Sequence, residues 1–424
     1  MDPVCVIVDG YSSGKYYVEE FKKLGYLCLH IKSRETIPSF LAGTFNGNSY
    51  HAVATCTGME QMIQWIRSFG APRFILAGCE TGVNLADCLS DAFQLESRNA
   101  LHLTDARRDK YLMMEAVRAA GARAIRQFQG TSPEEALAWI ESQAFTYPVV
   151  AKPLKSVGGE GFCLCTGPAS IYDAFEKILG KPNLLNIRNE AVLVQEFIAG
   201  EEYVVDTVSR NGNHMVSDFV KYGKSVTADG HSIYKLCSFL PLDFPLARTL
   251  ERYAFSVLDA LGIRNGPAHS EIMVDANGPV LVEIGARQAG CWDQELVEIV
   301  YGHRQSSLSV TAYHDPEAFQ ARCVQVAERP FHCHLELVFL CSETDGIVAK
   351  INEGLVRTMP SFKKIDLHVR EGGEVKRTRN LSESTAIVYL MHEDYGMIEQ
   401  DRHAIFAMES EIVQVLPSHC AALA

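Results

Sequence analysis

Positive charge is in short supply. Lys plus Arg number 39 against 52 Asp plus Glu, a formal net charge of −13. An exterior this acidic repels nucleic acid and anionic membrane at long range, so neither is an expected partner. Long apolar runs are missing too: no uncharged stretch approaches the ~18 residues that a membrane span needs. The opening Met1-Asp2-Pro3-Val4 has no basic segment ahead of its apolar stretch, which breaks at Asp9-Gly10, so no signal peptide is expected. The 13 cysteines are scattered and odd in number, which reads as free thiols in a reducing cytoplasm. Their tightest groupings, Cys163-Leu164-Cys165 and His332-Cys333-His334, lack the ligand spacing of structural zinc and read as plain strands, although His332 and His334 would share one strand face. A Gly-x-Gly-x-x-Gly dinucleotide fingerprint is absent, and so are internal repeats and low-complexity segments. What remains is ordinary globular composition, 47% hydrophobic and 21% charged over 424 residues. At roughly 150 residues per domain that is two to three domains.

The first hundred residues alternate apolar runs with amphipathic stretches. Val4 to Val8, Tyr26 to Ile31, His51 to Thr55 and Phe74 to Gly78 read as strands; Tyr16 to Leu24 and Met59 to Phe69 read as helices. Strand, helix, strand with short loops predicts a parallel, doubly wound sheet to about residue 105. Gly10-Tyr11-Ser12-Ser13-Gly14-Lys15 is one residue short of a P-loop and lacks the hydroxyl after Lys, so it reads as a tight strand-to-helix turn. Asp105 to Ala120 predicts one helix stopped by Gly121. Ser132-Pro133-Glu134-Glu135 is a helix start, with Ser132 as N-cap. From about Ala321 the pattern is a small α+β unit, with strands at 334–340, 346–351, 365–370 and 385–391 and a closing helix at about 401–415.

Three stretches carry chemistry. In Lys155-Ser156-Val157-Gly158-Gly159-Glu160-Gly161, three glycines permit φ > 0 and let backbone N–H groups close on phosphate, with Lys152 and Lys155 alongside; a Gly-rich hairpin is the alternative. Gln195-Glu196-Phe197-Ile198 joins two strands and offers backbone groups to a purine edge, with Glu202 able to accept from ribose hydroxyls; a plain connection is the alternative. His269 to Val274 and Gly278 to Ile284 form a hairpin about Asp275-Ala276-Asn277-Gly278. Centred on Asn277, it sets Val274 against Val280 and Glu271 against Glu283. Like charges directly opposed are destabilising, and either a divalent cation between them or splaying into solvent relieves this. Arg287 follows, flanked by small residues.

The ordered set Lys110, Lys152, Gly-rich loop, Gln195 to Ile198, Glu202, Glu271, Glu283, Arg287 resembles the ATP-grasp superfamily of carboxylate–amine ligases over about residues 106–310. Glu283-Ile284-Gly285-Ala286-Arg287 and the overall size are most similar to the L-amino acid ligases that make dipeptides. The resemblance implies a mixed α/β and α+β multidomain chain with an ATP-grasp fold: a Rossmann-like pre-grasp domain (1–105), the ATP-grasp domain (106–320, divided near 195), and a C-terminal α+β cap (321–424). It implies ATP and Mg²⁺, amino-acid or other carboxylate substrates, and a cytoplasmic enzyme, with a homodimer left open. Lys110 and Lys152 would contact phosphates, Ser156 to Gly161 (Gly158 and Gly159 among them) would form the phosphate lid, Glu196, Phe197 and Ile198 the adenine hinge, and Glu202 the ribose acceptor. Glu271 and Glu283 would hold Mg²⁺, and Arg287 would stabilise an acyl phosphate and the tetrahedral species that follows amine attack. His269 and Trp292 are candidate substrate residues, each with a structural alternative. Lys221 and Lys224 read as solvated. Many superfamily members carry Asn where this chain has Gly285, which implies a metal shell with one protein ligand fewer. Another ATP-grasp ligase or carboxylase, or a non-catalytic ATP-binding module, stands as the alternative.

Overall fold

The computed structural model describes residues 2–227, 229–290, 293–324 and 331–418. The chain forms two compact units. One comprises Met1–Arg126, Tyr203–Phe219 and Leu242–Pro330; the other comprises Gln127–Glu202, Val220–Pro241 and Phe331–Ala424.

The first unit opens with four strands: β1 (Val4–Val8), β2 (Leu27–Lys32), β3 (Ala52–Thr55) and β4 (Pro72–Ala77). They pair in parallel in the order β3-β2-β1-β4, as the alternating pattern predicts. Residues of β1 alternate between two cores. Cys5 and Ile7 pack with Tyr17, Phe21 and Phe74, while Val4, Val6 and Val8 pack with Met62, Ile66 and Leu89. Both faces are thus covered, which is why β1 is apolar at every position. The strand order reverses at β1 and β4, so their carboxyl ends form a topological switch point. There Asp9, 1% exposed, accepts from Ser33 N at 2.8 Å and from Thr81 Oγ1 at 2.5 Å, tying the loop after β1 to the one after β4. The short P-loop-like stretch is a 3₁₀ turn, Ser12–Gly14, running into the helix Lys15–Lys23. A Cβ at Gly14 would lie 2.5 Å from Gly78 O, so the two loops approach too closely for a side chain there.

The single helix expected over 105–120 is broken. Asp105–Arg107 is a 3₁₀ turn and the α-helix is Lys110–Ala119. Asp109 is extended and caps the helix, accepting from Tyr111 N at 3.0 Å and Leu112 N at 3.2 Å. A carboxylate offered as N-cap outcompetes helix continuation, and Arg108 steps out of the helical path.

In the second unit, Gln127–Gly130, Val192–Glu196, Val149–Pro153 and Cys163–Cys165 pair antiparallel in that order. Helix Pro133–Ser142 packs on this sheet through Ala136 and Ile140, and Ser132 Oγ caps it from Glu135 N at 3.2 Å, as the motif predicts. Toward the C-terminus, His334–Leu340, Ala386–His392 and Phe362–Leu367 are antiparallel neighbours. The closing helix differs from expectation. It is Tyr395–Ala407, a short turn Glu409–Ile412 follows, and Val413–Pro417 is a strand paired with Gly346–Ile351. The alternation Val413, Val415 suits a strand, and pairing with a distant segment decides it.

Candidate active site

The hairpin of the first unit, Gly266–Asp275 and Gly278–Gly285, is the anchor of the site. Its turn holds two residues, Ala276 and Asn277, closed by Asp275 opposite Gly278. Gly278 is at φ 96°, a conformation that favours glycine. Arg123 grips Asp275 through both guanidinium Nη atoms, at 2.8 and 2.7 Å, and pulls its carboxyl down to about 2. The expected Val274–Val280 pair does not form: Val274 faces Pro279. A bulge between Glu271 and Ile272 then shifts the register by one, and Glu271 does face Glu283. Their side chains are 15% and 24% exposed, enough to reach a solvated ligand.

Other groups converge on this pair. Lys110 Nζ lies 3.0 Å from Glu283 Oε2. His269, buried two residues before Glu271, bonds Asp206 Oδ1 through Nδ1 at 2.7 Å, and its Nε2 is 3.7 Å from Glu271 Oε1. Burial alone would depress the imidazole; the Asp206 charge and hydrogen bond overcome it and raise His269 to about 9. Asp218, wholly buried, is pushed well above the carboxylate range by burial and then by Asp206. Arg287 donates from Nε to Glu80 Oε2 at 2.9 Å and from Nη1 to Gln288 O at 2.8 Å. Glu80 also accepts from Arg108 Nη1. The loop bearing Arg287 is held by the turn after β1: Ser12 Oγ donates to Gly290 O at 2.8 Å and Ser13 Oγ to Ala289 O at 2.5 Å. Trp292 lies outside the described residues.

Glu80, Arg108, Asp206 and Asp218 escape the sequence reading. For Glu80 a signal existed, since it follows β4 at the switch point where open α/β sheets bind ligands. Arg108 was hidden by the assumption of a continuous helix.

In the second unit, Lys152 is on strand Val149–Pro153 and is 9% exposed. Gly158, Gly159 and Gly161 all have positive φ, at 64°, 78° and 71°. The loop they form is tethered: Gly158 O accepts from Leu381 N at 3.2 Å, and the Glu160 carboxylate accepts from Leu184 N at 2.8 Å. Ser156 is buried. Glu196 ends its strand, Phe197 is 41% exposed, and Ile198 is half-buried. Glu202 is ion-paired with Lys224 at 2.7 Å. Lys224 is therefore not solvated as expected; its Nζ also sits 4.3 Å from the Tyr234 ring centroid. Lys221 makes an exposed pair with Glu201.

Two opposed carboxylates offer oxygen donors alone, the chemistry Mg²⁺ prefers. Among the described residues no group of three or more His, Cys, Asp or Glu is arranged to hold a metal ion. A cation here would thus take two protein carboxylates and fill its shell with water and phosphate oxygens, as Mg²⁺ commonly does.

The ATP-grasp domain family matches residues 145–295. Dapdiamide A synthase of Enterobacter agglomerans is 31% identical over 415 residues, spanning 96% of each chain. Among solved structures, the L-amino acid ligase of Bacillus licheniformis superposes with a TM-score of 0.74 at 16% identity, covering 98% of this chain and 99% of that one. Phosphoribosylglycinamide synthetase of Anaerococcus prevotii gives 0.64 at 15% identity, covering 99% and 100%. The near full-length relationship to the synthase, together with the matched domain, establishes that the chain belongs to the ATP-grasp family of ATP-dependent, C–N bond-forming carboxylate–amine ligases.

Proposed function

We propose that the enzyme joins the carboxylate of one amino acid to the amine of another, and that Glu271, Glu283, Lys110 and Arg287 are the core of its machinery. The observation that carries this is the register: Glu271 faces Glu283, with Lys110 on one carboxylate oxygen and Arg287 two residues beyond the end of the strand pair. Glu271 and Glu283 would hold Mg²⁺, which neutralises phosphate charge when bound. Lys110 steers Glu283 and adds positive charge toward phosphate. Arg287 offers a fork of donors to the oxyanion that forms during acyl transfer. In the second unit, Lys152 and the loop Ser156 to Gly161 are assigned to nucleotide phosphates, Glu196 to Ile198 to the adenine edge, and Glu202 to the ribose. Glu202 must then exchange Lys224 for the ribose hydroxyls, or share its second oxygen. His269 is assigned to the amine side, held in one orientation by Asp206.

The segments 1–105, 106–320 and 321–424 are proposed as pre-grasp, grasp and cap domains. Among the described residues no helix is long and apolar enough to cross a membrane, and a cytoplasmic location is proposed.

The test is a phosphate-release screen with ATP and Mg²⁺ over amino-acid pairs, with mass detection of the ligated product. One or more pairs should release phosphate and yield a dipeptide, and Glu283→Ala and Arg287→Ala should each abolish both. Full ligation by either variant at saturating Mg²⁺ would remove the role given to that residue.

A further inference from the structure

Glu80 serves two arginines at once. Its Oε1 accepts from Arg108 and its Oε2 from Arg287. The residue Arg108 is 9% exposed and the Arg287 side chain 14%. Among the described residues neither arginine is hydrogen-bonded to a second carboxylate, although the Glu283 charge, itself paired with Lys110, is felt at Arg108, and most of their N–H donors are uncommitted. Two guanidiniums against one carboxylate leave a positive charge with little water to screen it, and such an excess is stable when an anion completes it. The crowding is visible in Arg108 itself, which burial, and then the neighbouring Arg287, pull down to about 10.

The main chain is cut to fit this triplet. Gly285 is not among the residues with positive φ, so its backbone does not require glycine. Its space does. A Cβ there would sit 2.9 Å from Glu80 Oε2 and 3.0 Å from Arg287 Cζ. At the position that carries Asn in the resembling enzymes, a side chain would therefore press on the Glu80–Arg287 pair. Arg108 reaches the same spot because the chain leaves the helical path at Arg108-Asp109.

We infer that Arg108, Glu80 and Arg287 form an oxyanion site for the acid substrate: the two guanidiniums face the reacting carboxylate, then the phosphoryl group it receives, while Glu80 keeps them aligned. Arg108 is thereby a substrate-binding residue beside Arg287. This rests on the role proposed above for Arg287, and it adds a second guanidinium.

Calorimetry on the full-length protein saturated with ADP and Mg²⁺ tests it, with inorganic phosphate and, separately, acetate as probes. The wild type should bind phosphate; acetate binding as well would extend the site to the carboxylate itself. Arg108→Gln and Gly285→Asn should each weaken phosphate binding by about tenfold or more, the scale of a lost charge-assisted fork. Arg108→Lys, which keeps the charge without the fork, should weaken it less. ADP affinity, which doubles as the folding control, should stay within about twofold in all three. If Arg108→Gln does not fold, Gly285→Asn carries the test. Phosphate binding unchanged in both folded variants, or absent in the wild type, overturns the site. So does loss of ADP affinity in the same proportion, which would make Arg108 a nucleotide ligand. If the variants lose phosphate as expected but no amino-acid pair drives turnover, the substrate reading fails while the oxyanion site stands.

Discussion

At the residue scale, the proposed metal site is a balance of repulsion and pairing. Glu271 and Glu283 are held face to face, and Lys110 relieves part of the repulsion. Replacing Glu283 by Gln keeps the shape and removes one anionic ligand. The Mg²⁺ concentration for half-maximal turnover should rise by about tenfold or more, because a carboxylate is worth far more to a hard cation than an amide. A Mg²⁺ titration at saturating ATP reads this, and an unshifted curve would detach Glu283 from the metal. The opposition of the two glutamates was legible from the turn residues. The route to it was not. Counting from a turn centred on Asn277 gives the right partner, but the turn holds two residues and a bulge restores the count. A bulge of this kind is set by packing and twist, which leave no mark on residue type.

At the element scale, the turn after β1 looks like a nucleotide loop and is used otherwise. Its serine hydroxyls are committed to the carbonyls of Ala289 and Gly290, so the turn braces the segment that carries Arg287. Ser13→Ala should cost about 1 kcal/mol of stability for the lost bond. It should also lower kcat more than it raises the KM for ATP; an unchanged kcat would show that the brace is not needed. The same turn is anchored from below by His30, whose Nε2 accepts from Gly10 N at 3.0 Å. Burial, and then Lys32, push His30 down to about 3. The folded state thus holds the ring neutral while the unfolded chain takes up a proton near pH 6.5. Stability from this group is complete above that pH and is lost as pH falls toward 3, about 2 kcal/mol of it by pH 5. Denaturant titrations at pH 7 and pH 5 should show the decline, and His30→Gln should flatten it. An equal decline in the variant would place the acid sensitivity elsewhere. The parallel strands here were readable because an apolar run covered on both faces has little other use. The break before Lys110 was not, since the helix pattern continues through it and a capping carboxylate outweighs a periodicity only when the chain is folded.

At the scale of the whole molecule, residues far apart in sequence share a unit. Lys110 and Glu283 belong to one, Lys152 and Glu202 to the other. A ligand that binds only the folded protein stabilises it by mass action, so ADP with Mg²⁺ at 100 times its Kd should add about 2.7 kcal/mol to the unit it binds. Differential scanning calorimetry with and without the ligand measures this, and an unmoved trace would argue against a nucleotide site. The sequence by itself determined what is local: the strand and helix periodicities, the Ser132 cap, the glycine loop, and the existence of the hairpin that carries Glu271 and Glu283. Each depends on residues within one or two turns of chain, where steric and hydrogen-bond preferences act directly. Only the tertiary structure decided that Glu80 lies between Arg108 and Arg287, that Lys224 is caged by Glu202 and Tyr234, and that residues 413–417 form a strand. These contacts join segments tens to hundreds of residues apart, and their energies depend on desolvation and packing that exist only once the core has closed.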